Sequence, residues 1–249
     1  MRVQISRGKQ AYTVNLGKPI DVSIPLRGSS QNPRAWYLSP PEFQVVKTPN
    51  WIGSVNQGGS VNFNTLTFNP HAHGTHTECV GHISDTVYSV NAALHNFFFW
   101  VEVISVLPVP QGTDKIITQA LLKKRKYTTE AIAIRTLPNT EAKLTKNYDH
   151  TNWPYLEEAA ALWLRQSGVK HLLIDTPSVD KEKDEGLLLA HKAFWNVSAA
   201  PDTNATITEF IFIPDYVVDG LYFLSLQVPP FENDAAPSRP VLYPVEKCM

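Results

Sequence analysis

The sequence predicts an α/β fold built in layers, and three stretches carry that expectation. Residues 152–167 (NWPYLEEAAALWLRQS) have the composition of a helix and run through Gly168 into an apolar segment, VKHLLID, at 169–175. Residues 97–109 (FFFWVEVISVLPV) mix aromatic and β-branched side chains, the make-up of a buried strand. Residues 206–213 (TITEFIFI) and 221–228 (LYFLSLQV), parted by a turn at Pro214 and Asp215, read as two further strands.

Each element has a local cause. Residues 18–26 (KPIDVSIPL) alternate apolar side chains at the period of an extended chain, which predicts an early strand. Residues 32–41 (NPRAWYLSPP) are dense in proline and aromatics and predict a loop. In the helix, Asn152 is placed to cap, Pro154 suits the first turn, good helix formers fill 155–167, and Gly168 supplies the stop. A helix feeding straight into a strand is the hallmark of layered α/β packing.

With 249 residues, 43% hydrophobic and 18% charged, the chain is expected to form one domain over 1–249 with a sizeable core. Its 22 basic and 23 acidic residues leave a net charge of −1, so no bulk field draws it to nucleic acid or to an anionic membrane. The basic run KKRK at 123–126 reads as a solvated helix end. No apolar stretch approaches the roughly 20 residues that a membrane-crossing helix needs, and the N-terminus does not resemble a signal peptide. Two cysteines, Cys79 and Cys248, make no disulfide scaffold, and a cytoplasmic location is expected. Cys79 reads as a small packing residue.

The chemistry concentrates in residues 71–82, HAHGTHTECVGH, which hold four of the chain's eight histidines and one glutamate. Imidazoles this dense repel one another once protonated, and a cation shared among neutral rings removes that conflict. His71 and His76 are too far apart to align on a helix, so the first half is expected to be a loop or bent strand, with Gly74 allowing the bend. If extended, the second half places His76 and Glu78 on one face. Nitrogen and carboxylate donors together suit Zn, Mn or Fe rather than Ca. Between His71 and His73 the spacing leaves the choice open. Of the other histidines, His171 is expected to be exposed and His95 and His150 to lie in turns. His191 sits in an apolar stretch where a lone imidazole needs a partner, and it is the best distant ligand. Glu209, inside the apolar segment 206–213, faces either solvent or a cation.

Gly74-Thr75-His76-x-Glu78-x-x-x-His82 resembles the signature of the cyclase-type metal-dependent hydrolases, which include the bacterial kynurenine formamidases and isatin hydrolases. The resemblance continues in the same order through IDVSIPL (20–26), Trp36, DTPSVD (175–180), His191, Thr208-Glu209 and NDAAPSRPVLY (233–243). It implies a layered β/β/α cyclase-like (swivelling) domain with mixed sheets, a homodimer, and one or two divalent transition metals, Zn or Mn, per chain. The implied metal ligands are His71, with His73 as the fallback, His76, Glu78, His191 and Glu209. The implied catalytic histidine is His82, and Trp36 would line the substrate pocket. Three positions depart from the signature: Ala72 stands where the family has a histidine, Glu78 replaces an aspartate, and Val80 replaces a proline. The longer carboxylate bears on metal spacing, and the three together blur the substrate.

The activity so implied is hydrolysis of a small formyl-amide or cyclic amide, arylformamidase-like and of the kind used in tryptophan catabolism. A bound cation lowers the pKa of water from about 16 towards about 7, and His82 shuttles a proton to the leaving amine. Two alternatives compete. His71-x-His73 followed by Glu78 mimics the first motif of a cupin-like metal oxygenase, but such a protein needs another histidine soon after, and His191 is far downstream. A non-catalytic metal-binding member of the fold is expected to have lost His82, which this chain keeps.

Overall fold

The computed structural model describes residues 1–123 and 129–248. Eleven strands form one mixed sheet. In chain order they are β1 (Arg2–Arg7), β2 (Gln10–Asn15), β3 (Ile20–Asp21), β4 (His76–Glu78), β5 (Phe98–Val106), β6 (Ala131–Thr136), β7 (His171–Ile174), β8 (Thr206–Glu209), β9 (Gly220–Ser225), β10 (Ala235–Pro237) and β11 (Val241–Lys247). Across the sheet the order is β1-β2-β11-β9-β5-β6-β7-β8-β4-β10, with β3 added beside β11. Strands β5 to β8 run parallel, and antiparallel partners flank them on both sides. This is the mixed-sheet α/β architecture expected from the sequence.

Period-2 alternation explains how the sheet is covered. On β5 the odd residues Phe99, Val101 and Val103 enter one core, and the even residues Ile104 and Val106 enter the other. On β6, Ala131 and Ala133 go one way while Ile132 and Ile134 go the other. Two helices, α1 (Glu158–Gln166) and α2 (Leu189–Trp195), press Ala160, Leu164, Ala190 and Phe194 onto the second of these faces. A central strand buried on both faces reads as a continuous apolar run, which is why AIAI and HLLI carry no polar alternation.

Several local expectations give way to tertiary pairing. The helix begins at Glu158, not near Asn152. Tyr155 and Leu156 instead pair in parallel with Ile116 and Ile117, and Asn152 adopts a left-handed φ of 46° with its amide on Thr113 and Asp114. The early strand shrinks to β3, although Val22 and Ile24 are buried in the expected alternation. Strand β8 stops at Glu209 because Phe210 turns left-handed, φ 55°. His171 is buried rather than exposed: β7 lies between β6 and β8, so its ring is enclosed against Phe99 and bonded to the Thr206 hydroxyl at 2.9 Å. Of the basic run, Lys123 is exposed after the short helix Gln119–Leu122, and 124–126 lie outside the described residues. Among the described residues no helix is long and apolar enough to cross a membrane.

Candidate metal centre

Strand register assembles the centre. His76 and Glu78, two apart on β4, share a face, and β8 pairs antiparallel so that Glu209 lies directly opposite His76. Thr77 and Thr208 join hydroxyls at 2.8 Å on the other face. On its free side β4 takes β10, whose Ala235 sits across from Glu78. Gly74, at φ 138°, turns the chain into β4, and Gly81 approaches the Tyr88 carbonyl too closely for any side chain. Two carboxylates and an imidazole are thereby enclosed, with His76 and Glu78 fully buried and Glu209 3% exposed. Burial on this scale is stable only with compensating charge.

The histidine rings have defined roles. His76 Nδ1 lies 2.9 Å from the Gly74 carbonyl, which can only accept, so Nδ1 carries the proton and Nε2 presents a lone pair. That Nε2 makes no hydrogen bond, and Glu78 Oε2 stands 3.9 Å from it with His71 Nδ1 as a 3.0 Å neighbour. His191 comes from α2. Asp180 accepts the backbone N–H groups of Ala190 and His191 at the start of that helix and also grips His191 Nδ1 at 2.5 Å. One carboxylate thus anchors the helix and aims the ring, leaving Nε2 3.0 Å from Glu78 Oε1 and 3.8 Å from Glu209 Oε1. The other Glu209 oxygen stands 3.4 Å from His76 Nε2, while Oε1 accepts from the Val179 amide.

His71 enters from the loop before β4, with Nδ1 3.0 Å from Glu78 Oε2 and Nε2 bonded to Asp234 at 2.8 Å. His73 is turned away: it accepts from the Asn69 amide and meets the Ser39 carbonyl. His82, on a 3-10 turn after β4, stacks on His71 at 4.2 Å, with Nε2 3.8 Å from Glu78 and Nδ1 3.4 Å from Asp234. It is partly exposed to a cleft of about 340 Å³ whose wall also includes Trp36, Leu38, Leu188 and Glu209. Trp36 and Leu188 hold left-handed backbones, φ 64° and 48°, on that wall. Strain of this kind, about 1–3 kcal/mol each, persists where surrounding contacts over-determine it.

The electrostatics are those of a cation site. Burial opposes charge on His191, yet Asp180 and Glu78 outweigh it and hold its pKa well above 6.5. His71 behaves alike, burial being overcome by Asp234 and Glu78 so that its pKa rises to about 10. Glu78 would be driven up by burial, but His82, His191 and His71 hold it well below 4.5. Positive charge is therefore strongly favoured among these carboxylates. The donors fit a transition metal, since the buried lone pair of His76 Nε2, which has no hydrogen bond, converges with Glu78 Oε2 on the same space. Three groups bring ligand atoms within 4.8 Å of one another: His71–His76–Glu78, His71–His82–Asp234 and Glu78–His82–His191.

All the residues singled out from the sequence except His73 border this centre or its cleft. Two participants were not foreseen, Asp180 and Asp234. Both lie in the stretches DTPSVD and NDAAPSRPVLY that carry the family resemblance, which was the only signal pointing to them. Cys79 packs behind the cluster, and burial lifts its thiol to about 11, leaving it inert.

The sequence profile of the Cyclase family matches residues 19–181, about two thirds of the chain. The chain belongs to the Cyclase family. A kynurenine formamidase of Bacillus cytotoxicus is 26% identical over 191 residues, spanning 76% of this chain and 83% of that one. Among solved structures, one described as a potential metal-dependent hydrolase with cyclase activity superposes with a TM-score of 0.66 at 17% identity, covering 91% of this chain and 97% of the other. Isatin hydrolase A from Ralstonia solanacearum gives 0.64 at 17% identity, with 91% of each chain covered. These structures share the fold of this Cyclase-family chain, which is not that of a cupin.

Proposed function

We propose that this Cyclase-family chain is a metal-dependent hydrolase of a small amide, either a formyl-amide or a cyclic amide. The observation that carries the proposal is the buried, unbonded His76 Nε2, 3.9 Å from Glu78 Oε2, beside a cleft bordered by His82. In this account His71, His76, Glu78, His191 and Glu209 hold one or two divalent ions, Zn or Mn. When bound, such an ion supplies a water of lowered pKa and polarises the carbonyl under attack.

The chain's own groups do the rest. His82 takes a proton from the attacking water and delivers it to the leaving nitrogen as the C–N bond breaks and the C–O bond forms. Asp234, 3.4 Å from His82 Nδ1, orients the ring. Asp180 and Asp234 fix His191 and His71 from behind, as carboxylates do for metal-bound imidazoles. Trp36 offers a flat apolar wall for the substrate body. The formamidase relative supports a formyl-amide, and a cleft of about 340 Å³ suits a small substrate.

The whole chain serves this one site in the proposal, as a single domain acting in the cytoplasm, and works as a homodimer. Support for a second copy comes from residues 42–67, an excursion that leaves Phe43, Phe63 and Leu66 exposed. Light scattering of the purified chain tests it, and a monomer at working concentration ends that part.

The experiment for the activity is turnover of an N-formyl arylamine and of an aromatic lactam by metal-loaded protein. His82→Ala is expected to lower kcat by roughly 10²–10⁴-fold with metal content unchanged. Unchanged turnover removes the proton-shuttle role. Metal uptake with no hydrolysis of either substrate class favours a non-catalytic member of the fold.

A further inference from the structure

A second cavity, of about 540 Å³, opens on the same edge of the sheet as the metal cleft. Residues 107–108 follow β5, 136–138 close β6 and continue from it, and 175–176 follow β7, and all of them line this space. It therefore sits over the carboxyl ends of three adjacent parallel strands, the place where open α/β sheets gather ligands. Trp153 forms part of its wall and packs edge-on at 5.0 Å against Trp36, so the two pockets lie on opposite sides of a pair of indoles.

The lining is apolar, with Leu107, Pro110, Trp153 and Pro154, and its charges are unequal. Lys143 is already committed, pairing with the buried carboxylate of Asp175 at 2.7 Å and donating to the Thr136 carbonyl and to Asn139. Lys115 and Lys146 form no ion pair among the described residues. Lys146 holds its ammonium 4.8 Å over the Tyr148 ring, and burial, then Lys115 and Lys143, depress its pKa. Tyr148 is only 4% exposed, packs with Ala35, Trp153 and Phe210, and lines this cavity. Two lysines outside any ion pair among the described residues, and a phenol, thus line an apolar chamber in a chain whose overall charge is −1.

We propose that this cavity binds a small monocarboxylate with a flat apolar body. The body lies against Leu107, Trp153 and Pro154, and the carboxylate accepts from the Tyr148 hydroxyl and from Lys115 and Lys146. The metal cleft carries Glu209 on its wall and no lysine, so the two pockets differ in the charges they present. This site is independent of the amide-hydrolysis proposal and stands or falls without it.

Calorimetric titration of the metal-loaded 249-residue chain with benzoate tests the assignment, with benzamide as the neutral analogue of the same shape. Benzoate is expected to bind at one per chain, at least about tenfold more tightly than benzamide, and more weakly as salt rises. The double variant Lys115→Gln/Lys146→Gln, altered only at exposed side chains, is expected to lose about tenfold or more in affinity. Tyr148→Phe should weaken binding several-fold. Glu209→Gln should leave it unchanged. The proposal is overturned if benzoate gives no binding heat, if benzamide binds equally well, or if binding survives the lysine changes and is lost in Glu209→Gln, which would place the anion on the metal.

Discussion

Two pockets share the carboxyl edge of one sheet, and they are built in opposite ways. Over β8, β4 and β10 the groups are imidazoles and carboxylates, and the buried His76, Glu78, Glu209 and His191 are carried on strands or on the first turn of α2. Over β5, β6 and β7 they are lysines and a phenol on connecting segments around an apolar chamber. The first holds its donors to ångström tolerance because register dictates it: Glu209 cannot move relative to His76 without slipping β8 by two residues. The second relies on long, adaptable side chains. Rigid strands suit a metal, which tolerates little error in donor position, whereas loops and lysines suit an organic anion of variable shape.

The largest effect expected is at Glu78, the carboxylate common to both halves of the metal centre. Glu78→Gln removes the one negative charge that faces His71, His82 and His191 together. It should cost about 3–5 kcal/mol of stability and abolish stoichiometric metal uptake, while benzoate binding in the second cavity persists. Urea melts and metal analysis of the same preparation check this, and retention of full metal content would show that Glu78 is not shared.

Lys143→Met breaks the comparison from the other side. Asp175 then lies fully buried without its cation, at a cost of about 3–5 kcal/mol near neutral pH. Burial already raises the Asp175 pKa, with Lys143 and Thr136 pulling it back. A raised carboxylate pKa means that folding favours the protonated form, so the penalty in the variant should shrink as pH falls through that pKa. Metal content should not change. A penalty independent of pH between 7 and 5 contradicts this assignment.

At the opposite end of β7, His171 sets the acid background for both pockets. Burial lowers its pKa from 6.5 to about 4, so the folded protein keeps the ring neutral. Stability from this group is complete above 6.5 and falls as pH drops from 6.5 to about 4, by about 3 kcal/mol in all. His171→Gln keeps a polar group beside Thr206 and should flatten that part of the stability curve. An unchanged slope would assign the loss to other groups.

The smallest effect is expected at Asp180, which aims His191 without reaching the centre. Asp180→Asn should weaken metal affinity about 10–100-fold and leave the second cavity untouched. Competition with a chelating indicator measures it.

How much of this was legible beforehand follows from where the information lies. The cluster at 71–82 announced itself because four imidazoles and a glutamate are local in sequence, and strands β5, β7, β8 and β9 did so through side-chain type, whereas β6 was not foreseen. Glu209 remained ambiguous between solvent and cation because its fate depends on the pairing of β8 with β4, and register across more than a hundred residues leaves no local mark. Asp180 and Asp234 sit in loops where aspartate is an ordinary turn residue, so spacing alone could not distinguish them. His171 looked like a polar strand start until the sheet enclosed it. Asn152 had the chemistry of a helix cap, but pairing of Tyr155 and Leu156 with Ile116 and Ile117 moved the helix start to Glu158. The lysine-lined cavity draws on three separate connections, and no single segment hints at it.

The account rests on His76 Nε2 and Glu78 Oε2 being held apart by a cation. Anomalous diffraction from crystals of metal-loaded protein, collected at the Zn or Mn edge, tests this most directly. It should place a peak within about 2.0–2.3 Å of both atoms. A map in which His76 Nε2 contacts only water or protein, with any metal bound elsewhere, would contradict it.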